Sequence, residues 1–338
     1  MKKKHRKYTV IAAAIACTLL MVGIAIHRNL KIPTENDVVL LIPSGSDYAA
    51  VCDTLSAHGC HSHLFGITAR LRNYPGHVKS GRYVVKPGMD WVQLVQKLYS
   101  GSQDPVRITI GKHRTTETLC EYLGKQLELS ADTLLALLHT DSVAEYYGYN
   151  RDNFLCLFCR NTYDIYWNTS PQRFLSRMEK ENQRFWNDRR MEQCRQTGLT
   201  AAQVTILASI VEEETNCNEE KDTIASVYLN RLRKGMPLQA DPTLKYAVGD
   251  FTLRRLGRQQ IEYESPYNTY RHAGLPPGPI CIPSTESIEA VLENLPTSYI
   301  YFCAKDDFSG RHNFATTLAQ HSANAARFHK ALNLRNIH

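Results

Sequence analysis

The sequence predicts an α+β protein with a membrane-spanning helix at its amino end, and three observations predict it. An uncharged apolar run fills residues 8–26, three short strand patterns between residues 38 and 127 each turn into a helix, and the carboxyl-terminal half carries helical stripes around a polar loop section and one strand. A chain of 338 residues with 43% hydrophobic and 22% charged residues can bury one large core or two modest ones.

The amino end comes first. Lys2, Lys3, Lys4, Arg6 and Lys7 supply five of the net +7 charges, and residues 1–26 contain no acid, which leaves +2 on the remainder. A nearly neutral body argues against nucleic acid as the main partner. Tyr8 to Ile26 is a run of 19 residues rich in Ile, Ala, Val and Leu. As a helix it would span roughly 28 Å, close to the hydrocarbon thickness of a bilayer. A cleaved signal peptide is the rival, with Gly23-Ile24-Ala25 as its small-x-small site, but the apolar run is long for a signal core. Ala14-Ile15-Ala16-Cys17 has the look of a lipoprotein signal, yet nine uncharged, mostly apolar residues follow the Cys. An uncleaved single-pass anchor is the reading adopted. It leaves the basic tail in the cytoplasm and the working part outside it.

After a linker containing Pro33, Val38–Ile42 reads as a strand that turns at Pro43-Ser44-Gly45-Ser46 into a helix ending near Leu55. Arg82–Lys86 is a second strand, turning at Pro87-Gly88-Met89-Asp90 into a helix ending at Tyr99. Val106–Ile110 is the third, followed by a Thr115-started helix through Leu127. In each, Gly supplies the turn and Ser, Asp or Thr can cap the helix. Such β-turn-α units resemble small glycan-binding modules of the LysM type. Residues 151–170 read as an aromatic-rich connector, and a helical pattern runs from Pro171 to about Arg195. A strand at Tyr299–Cys303 and a closing helix from Leu318 to Leu332 complete the chain. Of ten cysteines only Cys156 and Cys159 are closely spaced, with no second Cys or His pair at zinc-finger distance, so buried thiols or scattered disulfides are the plain reading.

One helix carries the candidate chemistry. Thr200-Ala201-Ala202-Gln203 is a capping-box pattern opening a helix through about Thr215, with Val204, Leu207, Ala208 and Val211 on one stripe. Glu212, Glu213 and Glu214 follow. At about 100° per residue Glu213 points away from the stripe and should face water, while Glu212 and Glu214 lie on its flanks. A glutamate at the edge of an apolar face is partly desolvated, which raises its pKa toward the range a general acid needs. A solvated acidic helix end is the competing reading, and phase does not separate Glu212 from Glu214.

The surrounding residues are more specific. Leu207-Ala208-Ser209-Ile210-Val211-Glu212-Glu213-Glu214-Thr215, then Ile224–Leu232, Gly235-Met236-Pro237-Leu238-Gln239-Ala240-Asp241-Pro242-Thr243, Pro266–Tyr270, Gly274–Ile280 and His312-Asn313-Phe314 follow in order. Together they closely resemble the endolytic murein transglycosylase family. The resemblance implies a single-pass inner-membrane enzyme that cleaves within peptidoglycan glycan strands, and it selects Glu214 as the catalytic residue. It also implies a function in ending nascent strands beside membrane-bound peptidoglycan synthases. Two positions depart from the family. Cys159-Arg160 stands where an apolar-Pro pair is usual, and Ser322 follows His321 in place of Asn.

The expected layout is a cytoplasmic tail at 1–7, a transmembrane helix at 8–26, a linker at 27–37, a LysM-like β-α repeat region at 38–150 and a mixed helix–strand catalytic domain at 151–338. Under the lytic mechanism one carboxyl suffices, with no metal or organic cofactor, and the product is a 1,6-anhydromuramyl end. Hydrolysis by a muramidase and a noncatalytic wall-binding scaffold are the alternatives. Glu212, Asn230, Gln239, Asp241, Tyr246, Tyr267, Asn268, Tyr270 and His312 are the candidate substrate-binding residues, being polar or aromatic groups suited to sugar hydroxyls, acetamides and ring faces. For each of them an ordinary packing or turn role competes.

Overall fold

The computed structural model describes residues 30–253 and 256–335, together with Ile15, Cys17, Thr18 and Met21. The expected anchor at 8–26 lies, apart from those four positions, outside the described residues. Among the described residues no helix is long and apolar enough to cross a membrane.

The chain is a mixed α+β structure. In β1 (Val38–Ile42) the alternation is clean, with Leu40 and Ile42 buried and Val39 and Leu41 facing out. Gly45 takes a left-handed φ of 84° in the turn that follows. Asp47 then caps α1 (Tyr48–Ala57), its carboxylate accepting from the Ala50 N–H at 2.9 Å. Ser62 caps α2 (His63–Leu71), a helix the sequence reading did not include. β2 (Gly81–Val85) returns antiparallel to β1, with Val38 opposite Val85 and Ile42 opposite Gly81. α3 (Trp91–Ser100) opens with a capping box of Asp90 and Gln93 and ends on Gly101 at φ 70°. Caps of this kind each contribute about 1 kcal/mol.

β3 (Val106–Ile110) leads into α4 (Thr116–Gln126), α5 (Ala131–Leu138) and α6 (Asp141–Tyr146). β3 pairs with β4 (Asn161–Ile165), a strand inside the expected connector. The three expected strand–turn–helix patterns therefore form, but they are not copies of one paired unit. β1 and β2 bond to each other across two helices, whereas β3 bonds to a strand more than fifty residues away.

The helix expected from Pro171 to about Arg195 is two helices, α7 (Pro171–Phe185) and α8 (Asp188–Thr197). The break falls where the Asn187 side chain caps α8. α9 (Ala201–Glu214) has the expected Thr200–Gln203 capping box. α10 (Lys221–Arg233), α11 (Asp241–Val248), α12 (Arg258–Ile261) and α13 (Thr285–Glu293) follow. β5 (Tyr301–Ala304) pairs antiparallel with β6 (His312–Ala315), Phe302 opposite Phe314, before α14 (Leu318–Leu334) closes the chain. β6 was not foreseen.

Two compact units result. The first comprises residues to Arg107 with 126–128 and 164–169, and the second comprises 108–125, 129–163 and 170–338. Residues 108–125 and 129–150, grouped by the sequence reading with the strand–helix region, thus belong to the second unit. The first has its own core of Leu40, Ile42, Val51, Leu55, Phe65, Tyr74, Tyr83, Trp91, Leu94 and Leu98. The second is built around α9 and α10, whose Val204, Leu207, Ile210, Val211, Ile224 and Tyr228 share a core with Ile288 and Val291 of α13. All ten cysteines are free thiols. Burial pushes the Cys159 thiol up to about 12 and the Cys156 thiol higher still, which leaves this pair poorly suited to redox or metal chemistry.

Candidate active site

α9 is buried on every side, with each residue from Val204 to Glu212 inside the protein. A helix packed all round has no watery face, and this corrects the expectation for Glu213. Its carboxylate is held by a bidentate pair with Arg114, 2.9 Å from both Nε and Nη2, and by Lys112 Nζ at 3.2 Å. Both cations come from the loop between β3 and α4.

Glu212 is also corrected as a sugar-contacting candidate, because its carboxylate is enclosed in an ion network. Oε1 accepts from Arg160 Nη1 at 2.6 Å, and Oε2 accepts from Lys221 Nζ at 3.1 Å and from Ser284 Oγ at 2.6 Å, with Ser287 Oγ beside them. Burial alone would raise this carboxyl, but the hydrogen bonds from Ser284, Ser287, Arg160 and Lys221 outweigh it and hold the pKa at about 2. Arg160, one of the two departures from the family pattern, is thus a direct partner of the carboxylate helix.

Glu214 stands apart. Among the described residues no cation pairs with it, and the one hydrogen bond it receives is donated by the Tyr228 hydroxyl to Oε1. Desolvation raises its pKa to about 7; the Tyr228 hydrogen bond opposes this, Asp241 adds to it, and Lys245 and Arg231 oppose it. Three neighbouring glutamates therefore have three environments, and the one at Glu214 raises the pKa toward the range a general acid needs.

Glu214 lies in a pocket of about 580 Å³, lined also by Tyr228, Arg231, Gln239, Asp241, Tyr270, Phe302, His312, His321, Phe328 and His329. Of the expected residues, the pocket gathers Glu214, Gln239, Asp241, Tyr270 and His312. Gln239 sits at a left-handed φ of 50° and its side chain accepts from Arg231 Nη1 at 3.2 Å. Asp241 begins α11 and accepts a hydrogen bond from the Tyr270 hydroxyl. His312 on β6 is fixed by Glu220, which accepts from its backbone N–H at 3.1 Å and lies 3.0 Å from its Nδ1.

The other candidates lie elsewhere. Asn230 donates to the carbonyls of Thr297 and Tyr299 at 2.9 and 3.0 Å, pinning the approach to β5. Asn268 is fully buried and donates to Ile261 and Tyr263 carbonyls, while its Oδ1 accepts from the Tyr270 N–H. It shapes the turn that presents Tyr270. Tyr246 and Tyr267 pack with ring centroids 4.8 Å apart and line a separate cleft of about 300 Å³ with Thr116, Glu117, His139 and Arg151.

The sequence reading missed Tyr228, Arg231, Glu220, Phe302 and His321. Tyr228 and Arg231 sit in a run of buried helix, inside the Ile224–Leu232 motif. Arg231 is 8% exposed and donates to the carbonyls of Ile300 at 2.7 Å and Leu238 at 2.8 Å, which ties the loop before Gln239 to β5. Nothing in the local pattern shows that these residues converge.

A mixed α+β unit with one high-pKa carboxyl on a polar and aromatic pocket has the makings of a glycan-cleaving acid catalyst. Residues 40–327 match the YceG-like family, and the chain belongs to that family. It is 29% identical over 317 residues to the endolytic murein transglycosylase of Bacillus subtilis strain 168, covering 87% of each chain. It is 27% identical over 328 residues to the protein of the same name from Streptococcus pneumoniae serotype 2 strain D39, covering 86% of this chain and 58% of that one. Among solved structures, the 2.6 Å crystal structure of a yceG-like protein from Listeria monocytogenes superposes with a TM-score of 0.56 at 24% identity. That match covers 86% of this chain and 99% of the other and supports the fold.

Proposed function

We propose that the protein is an endolytic peptidoglycan lytic transglycosylase with Glu214 as its single acid and base. The observation that carries this reading is the place of Glu214 in the pocket with the Tyr228 hydroxyl on its carboxyl, beside two neighbours whose charges are matched by cations. The protonated Glu214 carboxyl gives its proton to the glycosidic oxygen between N-acetylmuramic acid and N-acetylglucosamine as the C1–O bond breaks. The carboxylate so formed takes the proton of the muramyl 6-hydroxyl while O6 bonds to C1. The strand is left with a 1,6-anhydro end, Glu214 is protonated again, and no water is consumed. Gln239, Asp241, Tyr270 and His312 are the groups placed to hold sugar around the acid. Replacing Glu214 by Gln should lower the cutting of isolated sacculi by about 10²- to 10⁴-fold, and unchanged cutting would refute the assignment.

A hydrolytic muramidase is the second reading. Asp241, a second carboxylate in the pocket, favours it, because glycoside hydrolysis generally uses a pair of carboxyls. The class of cut end separates the two.

The anchor and location belong to the same proposal. The basic tail and the apolar run at 8–26 support a single-pass inner-membrane protein with a cytoplasmic amino end and an extracytoplasmic catalytic half. The order β1, α1, α2, β2, with its antiparallel strand pair, supports LysM-like glycan binding by the first unit. Membrane-bound peptidoglycan synthases are the partners this role suggests.

A further inference from the structure

The pocket contains a group that touches the acid and that the lytic mechanism does not use. Tyr228 lies on α10, is 1% exposed, and packs its ring edge-on against Phe302 at 5.8 Å between centroids and 87° between planes. Phe302 is held in turn between His312 at 5.3 Å and Phe314 at 6.1 Å. This aromatic stack fixes the phenol, and its hydroxyl donates to one oxygen of Glu214, Oε1. Among the described residues no other hydrogen bond reaches that carboxyl.

We propose that Tyr228 is a positioning residue that divides the work of the two Glu214 oxygens, holding Oε1 as a permanent acceptor so that Oε2 carries the proton to the substrate. The proposal rests on the reading of Glu214 as the general acid. Burial and the adjacent Glu214 keep the phenol pKa well above its ordinary value, so Tyr228 remains a donor throughout the working pH range. With Oε1 receiving a hydrogen, the acid proton resides on Oε2. As Oε2 gives that proton away, negative charge grows on the carboxylate and the bond from Tyr228 strengthens. It therefore stabilises the transition state more than the ground state. The same bond favours the charged carboxylate and so lowers the pH at which the acid is lost.

Other groups face the same carboxyl and must be held constant in the test: Arg231 from α10, and Asp241 and Lys245 from α11. On the pocket walls stand Tyr270, His312 from β6, and His321 and His329 from α14. None of them is hydrogen-bonded to Glu214.

The test is Tyr228→Phe, which keeps the ring on Phe302 and removes only the hydroxyl. With soluble glycan oligomers as substrate, kcat should fall about tenfold with KM within about twofold, and the alkaline limb of kcat/KM should move up by about one pH unit. A lower rate with an unmoved alkaline limb would reduce Tyr228 to packing and overturn the proposal. An infrared carboxyl titration, taken as the difference between the wild type and Glu214→Gln, reads Glu214 without any assay of activity. The wild-type protonated carboxyl should absorb as a hydrogen-bonded carbonyl, and a free-acid stretch would overturn the proposal even if the Phe variant failed to fold. If Glu214→Gln cuts normally while the infrared result holds, the function reading fails and the Tyr228 contact survives.

Discussion

Glu212 and Glu214 are two residues apart on one helix, yet their surroundings push their carboxyls in opposite directions, down to about 2 and up to about 7. The difference lies in what surrounds each carboxyl: two serines and two cations hydrogen-bonded to Glu212, and burial with a single tyrosine hydroxyl on Glu214. Because a general acid works only while protonated, cutting should decline as pH rises through about 7, which a pH profile of kcat/KM checks. A flat profile from pH 6 to about 9 would contradict this assignment. At this scale the sequence was informative but incomplete. Helical phase set Glu212 and Glu214 alike on the flanks of an apolar stripe, and family resemblance chose Glu214. Phase failed for Glu213 because it assumes that one side of a helix meets water, and Lys112 and Arg114 occupy that side instead. Those partners lie about a hundred residues away in sequence, beyond any local pattern.

At the scale of elements, the carboxyl end of α9 is anchored by the Glu212 network to α10 through Lys221, to α13 through Ser284 and Ser287, and to the start of β4 through Arg160. Lys221 and Glu212 side chains are only 6% and 9% exposed. Removing one member of such a buried network strands the others. Glu212→Gln should therefore destabilise the protein by about 3–5 kcal/mol, read as a lower denaturation midpoint. The folded Glu212 pKa is below its ordinary 4.5, so its stabilisation is complete above that value and is lost as pH falls toward about 2. The variant should lose that acid-sensitive component, and an unchanged midpoint would show the network to be dispensable. The helices with clear caps were readable, among them α1, α3 and α9. α2 was missed although Ser62 caps it, since it buries only Phe65 and Ala69; β4 and β6 were missed because each is short and its apolar residues acquire a face only through a distant partner. β6 gains its inward side from β5, and β4 from β3.

At the scale of the molecule, the α+β class and the order of strong helices could be read directly from the sequence. The division into units could not, since residues 108–125 and 129–150 follow the strand–helix pattern in sequence but fall in the same compact unit as α9. The pocket shows the same limitation: Tyr228, Tyr270, Phe302 and His312 come from four separate segments. Removal of residues 1–29 should release the protein from membranes while leaving its action on isolated sacculi intact. Sedimentation with membrane vesicles checks this, and undiminished pelleting would refute the anchor.

The central claim is that Glu214 cuts glycan by returning its proton through the muramyl 6-hydroxyl rather than through water. Mass spectrometry of the strand ends released from sacculi tests it most directly. The expected result is 1,6-anhydromuramyl ends from the wild type and none above background from Glu214→Gln. Reducing muramyl ends, or anhydro ends formed equally by Glu214→Gln, would contradict it.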